Sequence, residues 1–250
     1  MSGKPMRQNW IRRIALPRDQ VETVLICFPH AGGSASYFSP FARNIAPEIE
    51  PLAVQYPGRQ DRRLEEWHGS IEALVDGVVA ELPAVAAGRA VALYGHSMGA
   101  IVAFEVCRRL AGSDSAPKLL VVSGRRAPGT VRAENSHLYT DAELVRELDR
   151  VADTPQTWLT DPELRDLLLP VVREDYRAIE NYVYQDGPPI ECPIVTLTGA
   201  GDPYVDADEA KAWSSCTAGE FELHTYPGGH FFVESQRAAV GRLISEKLTG

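Results

Sequence analysis

The 250-residue sequence has no apolar stretch long enough to cross a bilayer, and Met1 to Trp10 contains no apolar segment of signal-peptide length. A membrane-spanning or exported protein is therefore not expected, and the cytoplasm is the expected location. Basic residues are the scarcer charge, with 25 Lys and Arg against 34 Asp and Glu. The formal net charge of −9 argues against a nucleic-acid partner, which would need clustered cations to neutralise phosphates. Cysteine is sparse, and Cys27, Cys107, Cys192 and Cys216 form no CxxC pair, so neither disulfides nor a metal site is expected. Three of the four lie in apolar contexts that suit small buried thiols. The glycine-rich loop 28–34 lacks both the lysine of GxxxxGK[ST] and the spacing of GxGxxG, which counts against a phosphate cradle. Repeats and low-complexity tracts are absent as well.

What is present is an α/β pattern. With 44% hydrophobic residues the chain can bury one sizeable core, and a single domain over 1–250 is expected. Short β-branched runs recur at 23–28, 52–55, 90–94, 119–123, 194–198 and 221–226. Most are continuous rather than alternating, as in strands buried on both faces. Helix-like segments at 38–46, 70–82, 98–110 and 235–248 lie between and after them. The alternation predicts a mostly parallel, doubly wound sheet. One interval breaks the rhythm, because 124–186 is too long for a crossover. Within it, Thr140-Asp-Ala-Glu143 reads as a capping box opening a helix with Leu144, Leu148 and Val151 on one face. Asp161-Pro162 caps a second helix, and 170–184 reads as a third. Three inserted helices predict a lid over the sheet edge; a helical elaboration without a gating role is the other reading.

The most informative motif is Gly95-His96-Ser97-Met98-Gly99, between an apolar strand and an apolar helix. A serine at such a strand-to-helix turn sits in a strained backbone, and flanking glycines let the two elements approach. Its hydroxyl is exposed at a helix start, where the first amides point at whatever it attacks. A serine needs a base, and the base an orienting group. His230, in the glycine-hinged loop Pro227-Gly-Gly-His-Phe-Phe232, is the best-placed base. His224 lies within a strand, the sharp turn aims His96 away from the hydroxyl, and His68 and His137 read as surface residues. Asp202 immediately follows the run 194–198, with Asp206 and Asp208 as nearby competitors. Loops at the carboxyl ends of parallel strands share one sheet edge, so Ser97, Asp202 and His230 converge in the chain order of α/β-hydrolases. The loop Phe28-Pro-His-Ala-Gly-Gly33 follows the first strong strand, where that fold supplies an oxyanion amide. The expected donors are the backbone amides of Ala31 and Met98, and no role is assigned to the His30 ring.

Together with Tyr56-Pro-Gly-Arg-Gln-Asp-Arg62 and Ser123-Gly-Arg-Arg-Ala-Pro128, these segments resemble the type II, free-standing editing thioesterases of polyketide synthase and nonribosomal peptide synthetase pathways. The resemblance runs from Trp10 to the final helix. It implies an α/β-hydrolase fold with a helical lid. It places Ser97, Asp202 and His230 on the family's triad positions and Ala31 and Met98 on its oxyanion positions. One departure is Asp153, where the family usually has glycine, and it bears on the shape of the lid. The implied activity is hydrolysis of acyl groups stalled on the phosphopantetheine arm of acyl or peptidyl carrier proteins. The implied protein is a monomer with no cofactor of its own, because the substrate carries the phosphopantetheine. A general esterase or amidase would share the triad, acyl transfer would share the acyl-enzyme, and an inert scaffold could still bind carriers. Carrier proteins are usually acidic, so docking on this acidic chain would require a local basic patch. Arg59, Arg62, Arg63, Arg125 and Arg126 follow strands near the catalytic edge and could form one, or could instead pair locally with Asp61, Glu65 or Glu66.

Overall fold

A computed structural model describes residues 10–18, 21–67, 69–152 and 157–250. His68 and Asp153 lie outside these residues, as does most of the N-terminal segment read above. The strands are β1 (Ile11–Arg13), β2 (Thr23–Phe28), β3 (Ile49–Val54), β4 (Ala90–His96), β5 (Leu119–Ser123), β6 (Ile194–Gly199) and β7 (Phe221–Tyr226). The helices are α1 (Ser39–Ala42), α2 (Ile71–Ala86), α3 (Met98–Arg109), α4 (Asp141–Val151), α5 (Pro162–Glu180), α6 (Ala207–Lys211) and α7 (Arg237–Thr249). The strands form one seven-stranded sheet in the order β1-β3-β2-β4-β5-β6-β7. Every pairing is parallel except that of β1 with β3. This is the expected doubly wound arrangement, and the chain has the α/β-hydrolase fold.

Continuous apolar runs became strands because both faces of the sheet are covered. Along β2, Val24, Ile26 and Phe28 join the cluster that contains Leu74 and Val78 of α2 and Ile101 and Phe104 of α3. The alternate residues Leu25 and Cys27 join the opposite cluster, with Phe41 of α1 and Val240 and Ile244 of α7. All four cysteines are free, and the Sγ atoms of Cys107 and Cys192 lie 3.2 Å apart. Among the described residues no helix is long and apolar enough to cross a membrane.

β1 was not expected: it is three residues long, too short for a periodicity, and is held as an antiparallel edge. The segment between β5 and β6 also differs from expectation. The capping box at Thr140 is present, with the Glu143 carboxylate accepting the Thr140 amide at 2.8 Å and Thr140 Oγ1 accepting the Glu143 amide at 3.3 Å. The two further helices expected at Asp161 and at 170–184 are instead the single helix α5, which continues through Pro170 and ends at Glu180. Proline removes a hydrogen bond and crowds the preceding turn, at a cost of about 3 kcal/mol in a helix interior. Leu169 and Val172, on either side of it, are buried with Leu144 of α4, and this packing keeps the helix intact. Among the described residues the insertion thus holds two α-helices, with 3₁₀ turns at Ser136–Leu138 and Thr157–Leu159, in place of the three helices expected.

Candidate active site

Ser97 joins β4 directly to α3 with φ +54° and ψ −119°, a conformation that L-residues rarely adopt. The flanking glycines make the turn possible. A Cβ on Gly95 would lie 2.2 Å from the Gly99 carbonyl oxygen, and one on Gly99 would lie 2.1 Å from that of Phe28. The Ser97 amide donates to the Ser123 carbonyl at 2.8 Å, tying the turn to the end of β5.

The loops after β6 and β7 meet this turn, as sheet order requires. His230 Nε2 lies 3.1 Å from Ser97 Oγ, and His230 Nδ1 lies 3.0 Å from Asp202 Oδ2 and 3.2 Å from Oδ1. The Asp202 side chain is fully buried, that of His230 is 5% exposed, and Asp202 Oδ1 also accepts the Tyr204 amide at 2.9 Å. An ionised carboxylate only accepts, so Nδ1 carries the proton and Nε2 presents its lone pair to the serine. A hydroxyl so placed can pass its proton to the imidazole while attacking an electrophilic carbon. The competing carboxylates are elsewhere: Asp206 caps α6 by accepting the Glu209 amide at 2.8 Å, and Asp208 lies in that helix's first turn.

The other histidines have distinct environments. His96 points away from Ser97, as expected, and its Nδ1 lies 2.8 Å from Ser123 Oγ. His30 is packed edge-on between Tyr37 and Phe231. Burial, reinforced by the neighbouring His230, pushes His30 down to about 3 and His96 well below the usual imidazole range. Both are neutral near pH 7. His224 contacts Glu222 on β7. His137 is not a surface residue: its Nδ1 lies 2.5 Å from the buried Glu180 carboxylate on α5.

Ala31 and Met98 both line a cavity of about 60 Å³ at Ser97. Its far wall includes Leu148 and Val151 of α4 and Tyr176 and Ile179 of α5, so the insertion covers the site. Arg125 faces the same cavity, and burial beside Arg126 pushes it down to about 10 despite Glu134 nearby.

The proposed docking arginines are mostly internal. Arg59 and Arg62 have side chains only 2% and 3% exposed, paired with Asp175 and Glu65. Arg62 also stacks on Trp10, with the guanidinium carbon 4.3 Å from the ring centroid. Arg126 makes a two-pronged bond to Glu134 at 2.8 and 2.5 Å. A guanidinium buried on its own carboxylate cannot meet a macromolecular partner, so Arg59, Arg62 and Arg126 form no docking patch. Arg125 belongs to the cavity wall, and Arg63 remains exposed. Of the expected local pairings, Arg62–Glu65 is present, whereas Asp61 pairs with Arg12 at 2.6 Å.

Asp175 and Gly124 also shape the site, although neither was singled out from the sequence. A Cβ on Gly124, which has φ +58°, would lie 2.8 Å from His96 Cε1 and 3.3 Å from His230 Cε1. The position after β5 must therefore be bare for both rings to fit.

A serine–imidazole–carboxylate array at a strand-to-helix turn of a parallel sheet defines the class of serine hydrolases with the α/β-hydrolase fold. Residues 23–248 match the thioesterase domain model, and the chain belongs to the thioesterase family. It is 41% identical over 253 residues to thioesterase PikA5 of Streptomyces venezuelae, covering 99% of this chain and 89% of that one. Among solved structures it is similar to the type II thioesterase BorB of the borrelidin biosynthetic cluster, at 45% identity and TM-score 0.87, covering 95% of this chain and 96% of the other. YbtT, a type II thioesterase of the yersiniabactin NRPS/PKS pathway, aligns at 30% identity and TM-score 0.85, covering 95% and 97%.

Proposed function

We propose that the protein is a free-standing type II thioesterase that hydrolyses acyl groups from the phosphopantetheine arm of carrier proteins in polyketide or nonribosomal peptide synthesis. The observation that carries this reading is the continuous Asp202–His230–Ser97 hydrogen-bond chain in a member of the thioesterase family. The similarity to thioesterases of such pathways supports the choice of substrate.

In the reaction, Ser97 Oγ attacks the thioester carbonyl carbon while its proton passes to His230 Nε2. The amides of Ala31 and Met98 donate to the oxygen as it becomes an oxyanion. Asp202 keeps Nδ1–H in place and stabilises the imidazolium. The tetrahedral species collapses with cleavage of the C–S bond, and the departing thiolate takes the proton from Nε2. A water deprotonated by Nε2 then attacks the acyl-enzyme, and collapse of the second tetrahedral species frees the acid and returns the proton to Ser97. Losing one oxyanion donor costs about 3 kcal/mol of barrier, and losing the serine costs more.

Mass spectrometry of carrier proteins loaded with a panel of acyl groups, before and after addition of the protein, tests this reading. Acyl loss with wild type and none with a folded Ser97→Ala variant is the expected result. Turnover by Ser97→Ala refutes the nucleophile assignment, and cleavage of simple esters in preference to acyl carriers refutes the substrate.

A further inference from the structure

Asp175 lies on α5 within the insertion and is fully buried. Its Oδ2 accepts the Gly32 amide at 2.7 Å and Arg59 Nη1 at 2.7 Å. Its Oδ1 accepts Arg59 Nη2 and Trp67 Nε1, both at 2.8 Å. A carboxylate is tolerated at such depth only when its lone pairs are satisfied, and an apolar residue would avoid that demand altogether. The reaction described above makes no use of this group.

We propose that Asp175 is a positioning residue that fixes the oxyanion loop through Gly32 and thereby aims the Ala31 amide. The inference rests on the thioester-hydrolase reading of the site. Two contacts from the same carboxylate and its partner converge on the loop, and a third closes the loop on itself. Asp175 holds the Gly32 N–H, which belongs to the peptide group formed with the Ala31 carbonyl. Arg59 Nη1, locked on that carboxylate, donates to the Gly33 carbonyl at 2.9 Å. The Gly33 amide closes the turn onto the His30 carbonyl at 2.9 Å. Gly32 has φ +77°, and α5 packs so closely that a Cβ there would lie 2.6 Å from Val172 Cγ2. The loop is thus pinned from the insertion's side, while Ala31 lines the cavity at Ser97. Electrostatics agrees with this geometry. An unpaired carboxylate so near a developing oxyanion would oppose it, and the two-pronged guanidinium of Arg59 cancels that field.

The test compares wild type with Asp175→Asn, Arg59→Lys and Val78→Ala, the last a cavity variant in α2 that controls for lost stability. Each is assayed for hydrolysis of an acyl-pantetheine thioester and for binding an alkylboronic acid, whose tetrahedral adduct on Ser97 places an oxygen in the oxyanion position. For Asp175→Asn, kcat is expected to fall about 10²-fold with KM nearly unchanged, the cost of a misaligned catalytic group. Boronic acid affinity falls in step with kcat/KM. Arg59→Lys shows a smaller loss of the same kind, and Val78→Ala loses melting temperature but not kcat. If Asp175→Asn does not fold, Arg59→Lys decides by the same two measurements. A folded variant with wild-type kcat, or with reduced kcat and unchanged boronic acid affinity, overturns the proposal. Wild type that a fluorophosphonate does not label overturns the hydrolase reading and this proposal with it, whereas labelled wild type with unaffected variants overturns this proposal alone.

Discussion

Asp202→Asn is the most incisive change that can be made at the site, because its effect follows from hydrogen-bond direction. Asp202 Oδ1 accepts the Tyr204 amide at 2.9 Å, and Oδ2 faces His230 Nδ1 at 3.0 Å. In asparagine one of these positions becomes an NH₂ donor. It cannot face the Tyr204 N–H, so the side-chain oxygen stays there and the NH₂ turns toward His230. Nδ1 must then accept, which moves the imidazole proton to Nε2 and leaves Ser97 facing a donor instead of a base. The wrong tautomer costs about 10⁴-fold in kcat in a serine–histidine–aspartate array. At 1.36 kcal/mol per decade this is about 5.4 kcal/mol of barrier. The fold should survive, since the cap on Tyr204 is retained and a buried charge is removed. Thiol release from an acyl-pantetheine reports kcat, and urea denaturation reports stability. Asp206→Asn and Asp208→Asn serve as comparisons and should behave as wild type. Asp202→Asn retaining more than about a tenth of the wild-type rate would refute the tautomer argument.

Other consequences are equally direct. His30 and His96 have folded-state affinities for protons below the usual imidazole value, so the unfolded chain binds more protons than the native one below about pH 6.5. Stability is therefore complete above that pH and falls on acidification, by up to about 1.4 kcal/mol per pH unit for each ring, which urea midpoints at pH 7.5 and 5.5 would reveal. Gly99→Ala forces a methyl group to within 2.1 Å of the Phe28 carbonyl oxygen and should destabilise by about 3 kcal/mol or block folding, as judged by calorimetry and soluble yield. The cavity at Ser97, about 60 Å³, is small beside the roughly 300–1,000 Å³ of typical ligand pockets, so short acyl chains should be preferred over long ones. Leu148→Ala, which enlarges the α4 wall, should shift kcat/KM toward longer chains across an acyl-pantetheine series, and an unchanged profile would count against that wall setting chain length.

Much of the site was legible because its chemistry depends on local sequence. The elbow requires glycines at 95 and 99 for reasons of backbone contact alone, and parallel strands carry their loops to one edge, so the order of Ser97, Asp202 and His230 was enough to assemble them. The arginines stayed open between docking and pairing because the burial that decides between them depends on distant partners. Arg59 looks like a free loop cation until Asp175, far along the chain, is brought against it. Asp175 did leave a signal: it shares the buried face of α5 with Val172, Ala178 and Ile179, where a charge is out of place. The continuity of α5 through Pro170 was illegible for the opposite reason, since local propensity predicts a break and only packing against α4 overrules it.

The attachment of the oxyanion loop to α5 also bears on how such proteins can be re-engineered. Gly32, Arg59 and Trp67 come from the segments that follow β2 and β3, yet all three converge on one acid carried by the insertion. A chimera that replaces 124–186 to install another acyl chamber exchanges part of the support for the chemistry along with the chamber. Such a graft should succeed only when the incoming segment presents a carboxylate at the place of Asp175, and recombination boundaries are best drawn around these four residues as a unit.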